Sequence, residues 1–413
     1  MGVLVDTTPL RVSPDFRRLW SGQAVSFVGS MITTAALPFQ VFRQTHSSLA
    51  VGLLGLAQLG PLFICAVVGG GFADRLDKRH LLLAVTSAAV TCSAALAVNA
   101  TLDHPQLWVL YVVGGAVGGV TAVSSTVLRS MLPLLVEDEL RPAAYSLQAA
   151  YGSFGMMAGP AAAGLLIGGF GLTSAYLIDV ASFGVALATF AAIAPSPPVS
   201  GATAEAAMSL LAGLRFLRGH RVVISVFAID LVAMVFGMPR ALFPALAERL
   251  GGGPVLYGLL LSSVAGGAFL AALASGWTAR VQRQGRALLV AVGAWGVSVA
   301  GAGLAREPAA VLTLLGCAGA ADMISGVYRS TIAANLTPDS LRGRVSGVEF
   351  AVYAGGPVLG DVEAGVVGGL AGITFAIVSG GIACVIGAAL FAARVRGLAT
   401  HQRPRPTDAA TAP

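Results

Sequence analysis

The 413-residue chain is 56% apolar and only 11% charged, with a formal net charge of +6 and a mean hydropathy of +0.82. An ordinary soluble domain has about a quarter of its residues charged, so this composition excludes a water-soluble globular protein and points to a chain solvated by lipid. No zinc-ligand spacing and no Gly-Lys-Ser/Thr phosphate cradle occurs, and the basic residues are not interleaved with aromatics as on a nucleic-acid surface; we expect no metal, no cofactor, no nucleic-acid partner and no enzymatic constellation.

Apolar stretches of about 20 residues, long enough to cross about 30 Å of hydrocarbon as helix, follow one another along the chain. We place about twelve, at 17–42, 48–73, 80–101, 106–131, 141–168, 171–194, 221–247, 254–279, 286–306, 309–333, 342–368 and 372–396. The chain is polar through Arg18 and shows no short apolar region with a cleavage site, so the first span is expected to serve as an uncleaved insertion signal. Cys65, Cys92, Cys317 and Cys384 fall inside spans and form no close pair, which makes them small apolar packing residues. Pro195, Pro197 and Pro198 end the sixth span. Beyond them, Met208, Leu210, Leu211, Leu214 and Leu217 against Arg215 and Arg218 suit a helix on the membrane surface, or a tether packed on the cytoplasmic helix ends. The expected organisation is a bundle at 1–194, a cytoplasmic linker at 195–220, a second bundle at 221–396 and a disordered tail at 397–413.

Orientation follows from the basic residues. With both termini in the cytoplasm, the inner segments hold Arg11, Arg17, Arg18, Arg75, Lys78, Arg79, Arg129, Arg141, Arg215, Arg218, Arg221, Arg280, Arg283, Arg286, Arg342, Arg344, Arg394, Arg396, Arg403 and Arg405, and the outer loops only Arg43, Arg249 and Arg306. This is the positive-inside bias of a multi-pass protein, and the net charge reads as topology and attraction to anionic lipid. Single cysteines placed in a cysteine-free background should therefore divide. Those at His104 and Glu307 should react with an impermeant thiol reagent added outside, and those at Arg79 and Arg283 should not; labelling of all four from outside would reject the topology.

The two halves repeat. Val51-Gly52-Leu53-Leu54 answers Tyr257-Gly258-Leu259-Leu260, Arg129-Ser130 answers Arg329-Ser330, and Gly159-Pro160 answers Gly356-Pro357. A period near 200 residues with six spans in each means two pseudo-symmetric six-helix bundles. Such repeats bind substrate near the midplane and expose it alternately by rocking one half against the other.

The loop Gly70-Gly71-Phe72-Ala73-Asp74-Arg75-Leu76-Asp77-Lys78-Arg79 resembles the signature Gly-x-Leu-Ala-Asp-Arg-x-Gly-Arg-Lys of the major facilitator superfamily, with a degenerate copy at Ser275–Arg283. The resemblance implies an all-α membrane protein with twelve transmembrane helices in two six-helix bundles, working as a secondary transporter. It also implies that Gly70, Asp74, Arg75 and Arg79 form a conformational latch, with Asp74 accepting from the N-terminus of the eleventh helix near Leu341 and Arg75 and Arg79 holding nearby acids. In the fifth span, Gly155, Gly159, Pro160 and Gly164 resemble the helix motif of proton-driven antiporters, with Ala163 where Gly is frequent; simple packing is the competing reading. Phe16–Ser26, Leu242–Ala247 and Leu341–Gly347 resemble the bacterial enterobactin-exporter-like subfamily, which implies efflux of a drug, siderophore or secondary metabolite across the inner membrane.

Ionisable residues inside spans cost at least about 2.5–3.5 kcal/mol each. They are Asp179, Asp230, Arg240, Asp322, Arg329, Glu349, Asp361 and Glu363, mostly in the second half. Asp322, Ser325 and Arg329 share one helical face, so Arg329 is expected to hold Asp322 or to pair with Glu349. The proton-coupling candidates are Asp322, Glu349, Arg329 and Asp230; Asp361 and Glu363 read as wet residues near the outer end. For the cargo we expect an apolar, aromatic surface with few polar groups: Gln23, Phe27, Ser30 and Thr34 on the first helix, with Tyr151, Phe154, Phe236 and Tyr353 for stacking. The expected partners are a small-molecule substrate, protons and the bilayer, with a monomer as the working unit. An importer of a polar metabolite and a sensor that has lost transport are the alternatives.

Overall fold

The computed structural model describes residues 6–195, 219–338 and 341–399, without the side chains of 67–75, 342–344, 396 and 399. The surface helix expected around Met208–Leu217 and the end of the tail lie outside the described residues. All secondary structure in them is helical. We number the long helices α1 (Pro14–Thr45), α2 (Ser48–Arg75), α3 (Lys78–Thr101), α4 (Leu107–Leu135), α5 (Arg141–Phe170), α6 (Leu172–Ala191), α7 (Arg221–Phe236), α8 (Gly253–Leu273), α9 (Gln284–Leu304), α10 (Pro308–Leu336), α11 (Arg342–Ala371) and α12 (Ile373–Arg394). Among the described residues, eleven spans are long and apolar enough to cross a membrane. The twelfth, α11, is 30 residues long but carries Glu349, Asp361 and Glu363.

Local chemistry sets the boundaries. The Ser13 side chain accepts from Phe16 N at 3.1 Å while Pro14 occupies the first helical position of α1, where its missing N–H is no loss. Asp77 caps α3 by accepting from His80 N at 3.0 Å. Gly171 (φ 84°) and Gly372 (φ 91°) reverse the chain between α5 and α6 and between α11 and α12, a left-handed backbone that a Cβ disfavours.

Two expected spans end differently from their apolar runs. The seventh is not one helix: α7 stops at Phe236, a 3₁₀ turn follows at Arg240–Leu242, and a short helix at Phe243–Arg249 completes the crossing. Gly237 and Pro239 sit at the break, where Pro has no N–H to continue the ladder. The freed groups find partners: Trp295 Nε1 donates to Gly237 O at 2.9 Å, and Asp361 accepts from Ala241 N at 3.1 Å. The eighth span leaves α-helical geometry at Leu273, and the degenerate loop copy becomes a 3₁₀ helix, Ser275–Arg280.

The repeat seen in sequence is also a repeat of packing. In the first half, Leu19, Leu82, Val127, Met131 and Phe190 join α1, α3, α4 and α6 in one apolar cluster; in the second, Val226, Leu288, Val292, Tyr328 and Ala388 join α7, α9, α10 and α12. Each helix of the second set lies six places after its counterpart. Close contacts follow the same rule. A Cβ on Gly118 of α4 would lie 3.3 Å from Gln58 Cα of α2, and one on Gly319 of α10 would lie 3.0 Å from Val264 Cα of α8, the small-residue approach by which helices associate in lipid. Large apolar side chains face outward, including Phe170 (80% exposed) and Leu370 (85%), a surface that lipid and not water would cover.

By compactness the chain forms two units, Met1–Ala204 with Phe243–Ser262, and Glu205–Leu242 with Ser263–Pro413. The short helix after the break and the first turns of α8 thus pack with the helices of the first half: Tyr257 of α8 donates to Ala35 O of α1 at 3.0 Å, and its ring lies 5.2 Å from that of Phe39.

Candidate functional site

In the second unit the intramembrane charges gather where α7, α10 and α11 meet. Arg329 donates to Asp230 across the α7–α10 contact, and both side chains are almost entirely buried, 12% and 6% exposed. The expected pairing of Arg329 with Asp322 or Glu349 is therefore replaced: the guanidinium reaches across to α7 rather than along its own helix face. Asp322 is partly buried one to two turns away and lies within reach of the Arg329 charge. Glu349 of α11 accepts from Ser330 Oγ at 3.4 Å and lies within Coulombic reach of Asp230. All four coupling candidates thus belong to one cluster of three carboxylates and one guanidinium. Arg129, the counterpart of Arg329 in the repeat, is exposed. Nothing in the sequence spacing links Asp230 to Arg329, because the contact joins helices 99 residues apart.

Asp361 is not the wet residue expected. It is 15% exposed and accepts from Arg240 at 2.9 Å as well as from Ala241 N. It holds the break in the seventh span, a role that became visible only once that span was seen to be discontinuous.

In the first unit the aromatic candidates meet around an open groove of about 590 Å³ between α1, α5 and α6, lined by Trp20, Val25, Ile32, Tyr151, Phe154 and Ile178 among others. Tyr151 is in edge contact with Phe27 (5.8 Å between ring centres) and Trp20 (6.2 Å). Gln23 joins Tyr151 and Trp20 in a small adjoining pocket. The remaining residues of the expected stripe behave differently: Ser30 donates to Ser26 O at 2.9 Å and Thr34 to Ser30 O at 2.7 Å, so both hydroxyl protons are spent on their own helix. Phe236 and Tyr353 belong to the other unit, where both are exposed, Tyr353 at 57%. Trp20 is the groove residue that sequence reasoning missed; its indole N–H is tied to Leu147 O at 3.1 Å, which fixes the ring.

The α5 glycines make room for two different neighbours. A Cβ on Gly155 would collide with the Phe27 ring, and one on Gly159 with Met31, both on α1. One on Gly164 would lie 3.2 Å from Gly258 Cα on α8. Ala163 is fully buried, so its methyl is accommodated where Gly was the expectation.

Of the loop candidates, Gly70, Asp74 and Arg75 lie in α2 with their side chains outside the description. Arg79 is described: it donates to Ala191 O at 2.5 Å, at the C-terminus of α6, and pairs with no acid among the described residues. Arg18 donates to Ala192 O at 2.9 Å. Two guanidiniums therefore satisfy the free carbonyls and the negative dipole end of one helix.

The description "transmembrane secretion effector" belongs to the family model that matches residues 6–406. The enterobactin exporter EntS of Shigella boydii serotype 18 is 27% identical over 367 residues, 89% of this chain and 88% of that one. That of Escherichia coli O1:K1 is 26% identical over the same shares. Among solved structures, the nucleoside transporter NupG superposes with a TM-score of 0.74 over 92% of this chain and 99% of its own, at 12% identity. A POT family transporter in complex with a thioalcohol-conjugated peptide gives 0.71 over 93% and 96%, also at 12%. Likeness at that identity speaks for the fold alone.

Proposed function

We propose that this chain, which belongs to the transmembrane secretion effector family of the major facilitator superfamily, exports an amphiphilic small molecule across the cytoplasmic membrane in exchange for protons. Membership makes it a multi-pass secondary transporter and not an enzyme. The exporter direction is supported by the names of its relatives. The apolar, aromatic groove supports an amphiphile over a polar metabolite, since a sugar or organic acid needs several polar partners to replace its water. In this reading Gly70, Asp74 and Arg75 form the latch that biases one conformation, and both termini are cytoplasmic.

The observation that carries proton coupling is the charge count at α7, α10 and α11. Three carboxylates share this cluster with one guanidinium, which pairs with Asp230, so full ionisation would leave excess negative charge in a low-dielectric setting, and bound protons relieve it. Alternating access then opens the cluster to one side and the other in turn, taking up protons outside and releasing them inside as cargo moves the opposite way.

The experiment is neutralisation without change of shape. Asp322→Asn and Glu349→Gln keep volume and hydrogen-bonding capacity but cannot titrate. At least one should lose efflux of a lipophilic dye driven by a pH gradient in inverted vesicles while still binding the dye in detergent. If both variants keep the pH dependence of the parent, the cluster has no coupling role.

A further inference from the structure

Asp179, in the middle of α6, is 1% exposed and is, among the described residues, the one acid of the first half placed deep inside its helices. Its surroundings are hydroxyls. Thr33 of α1 donates to Oδ2 at 2.6 Å, and Ser93 of α3 donates to the same oxygen at 2.7 Å. Ser182, one turn on, donates to the backbone carbonyl of Asp179 at 2.8 Å and stands 3.4 Å from Oδ1.

A proton count constrains the charge. Each hydroxyl has one proton. Those of Thr33 and Ser93 serve Oδ2, and the single Ser182 proton lies between the main-chain carbonyl at 2.8 Å and Oδ1 at 3.4 Å, nearer the carbonyl. Every donor in this cage is an uncharged hydroxyl, and a neutral acid that gives its Oδ1 proton to Ser182 leaves Ser182 free to serve the carbonyl and pairs every group. The cage is also tight: a Cβ on Gly29 of α1 would lie 2.7 Å from Oδ1, so no further donor fits on that side.

Among the described residues no cation pairs with an ionised form. The uncharged titratable groups of the helices packed around Asp179 are Tyr176 on α6, which donates to Gln40 at 2.6 Å, Cys92 beside Ser93 on α3, and Tyr145 and Tyr151 on α5, all uncharged near neutrality. The charged groups of the same helices sit at their ends: Asp15, Arg17, Arg18 and Arg43 on α1, Lys78, Arg79 and His80 on α3 with Asp103 just beyond it, and Arg141 on α5. Along α1 and α3 these are about ten residues or more from Thr33 and Ser93, roughly 15 Å.

We propose that Asp179 is a second proton-binding site of the transporter, held as a neutral acid where α1, α3 and α6 meet and emptied when those helices part during the cycle. The site lies outside the cluster on α7, α10 and α11, and its use rests on the proton-coupled reading above. Its donors come from two helices other than its own, so loss of the proton and loss of the α1–α3–α6 contact are one event: an anion stripped of Thr33 or Ser93 requires water, and water requires the contact to open. Gly29 and Ser182 also line the open groove, which gives that water a side from which to enter.

The test needs no substrate. Infrared spectra of the full chain in lipid at neutral pH should show a carboxylic-acid carbonyl band that is lost in Asp179→Asn. Thr33→Val, which removes one donor and keeps the shape, should shift that band without removing it. The band should also shift on transfer to D₂O on the timescale of turnover, since a proton used in the cycle must reach water. Asp179→Asn should fold as well as the parent, because an amide donates to Ser182 and accepts from Thr33 and Ser93 as the neutral acid does. A carboxylate band at that position, or a carbonyl band that resists exchange as a sealed core group does, would overturn the proposal. Neither outcome depends on whether Asp322 or Glu349 couples transport.

Discussion

Arg329→Gln should cost the protein about 3–5 kcal/mol of stability, the usual penalty for leaving one member of a buried ion pair alone, and should abolish coupled transport. Asp230 is 6% exposed, so the orphaned carboxylate cannot recover its hydration without opening the α7–α10 contact. The double variant Asp230→Asn with Arg329→Gln removes both charges and leaves a neutral amide pair in the same place. It should recover most of the lost stability, because two neutral groups that satisfy each other carry little desolvation penalty. It should not recover transport, because the positive charge that also acts on Asp322 is gone. Thermal unfolding in one detergent, completed as a double-mutant cycle, separates the two effects. A single variant as stable as the parent would mean that the pair is solvated, and a double variant no more stable than the single would mean that Arg329 acts through packing alone.

The parts of this molecule that were legible in the sequence are those governed by local period and composition. Spans of about 20 apolar residues pointed to the helices, because a lipid-solvated chain has few alternatives to helix, and the repeated Gly-Pro and Arg-Ser pairs pointed to the repeat of packing. The α5 glycines were legible for the same reason, since small residues at a helical spacing mark close approach. What stayed hidden were contacts between distant segments. Asp230 with Arg329, and Asp361 with Arg240 and Ala241, join helices about a hundred residues apart or more, and spacing along one helix says nothing about which neighbour lies opposite. The break after Phe236 was signalled by Gly237 and Pro239, but the apolar run continues through Leu246 and composition alone reads it as one helix. The Ala191 carbonyl as a partner of Arg79 stayed hidden too, because a guanidinium binds the free carbonyls of a helix C-terminus as readily as it binds a carboxylate, and only the fold says which is near.

Gly164→Val should separate α5 from the first turns of α8 and slow transport. The added Cβ would lie 2.6 Å from Pro254 O and 3.2 Å from the Cα atoms of Val255 and Gly258. All three are backbone atoms, so no rotamer change relieves the collision. Gly258 gives the converse result: a Cβ there would stand 3.0 Å from Gly164 Cα, so the two glycines form one contact seen from both sides. Overpacking of this kind costs about 1–3 kcal/mol, roughly a fivefold to 150-fold shift between two states of comparable energy. Gly169→Ala is the control, because nothing lies within 4 Å of a Cβ at that position, and Gly171 cannot serve because its φ of 84° disfavours a side chain. The contact brings a segment from the second half of the sequence against helices of the first, so loosening it is expected to shift the balance between states of an alternating-access cycle. Spin labels on α5 and on the first turns of α8 should therefore report longer distances in Gly164→Val, with transport reduced in proportion, and wild-type distances in Gly169→Ala. Wild-type distances and rates in Gly164→Val would reduce the glycine motif of α5 to ordinary packing with slack in it.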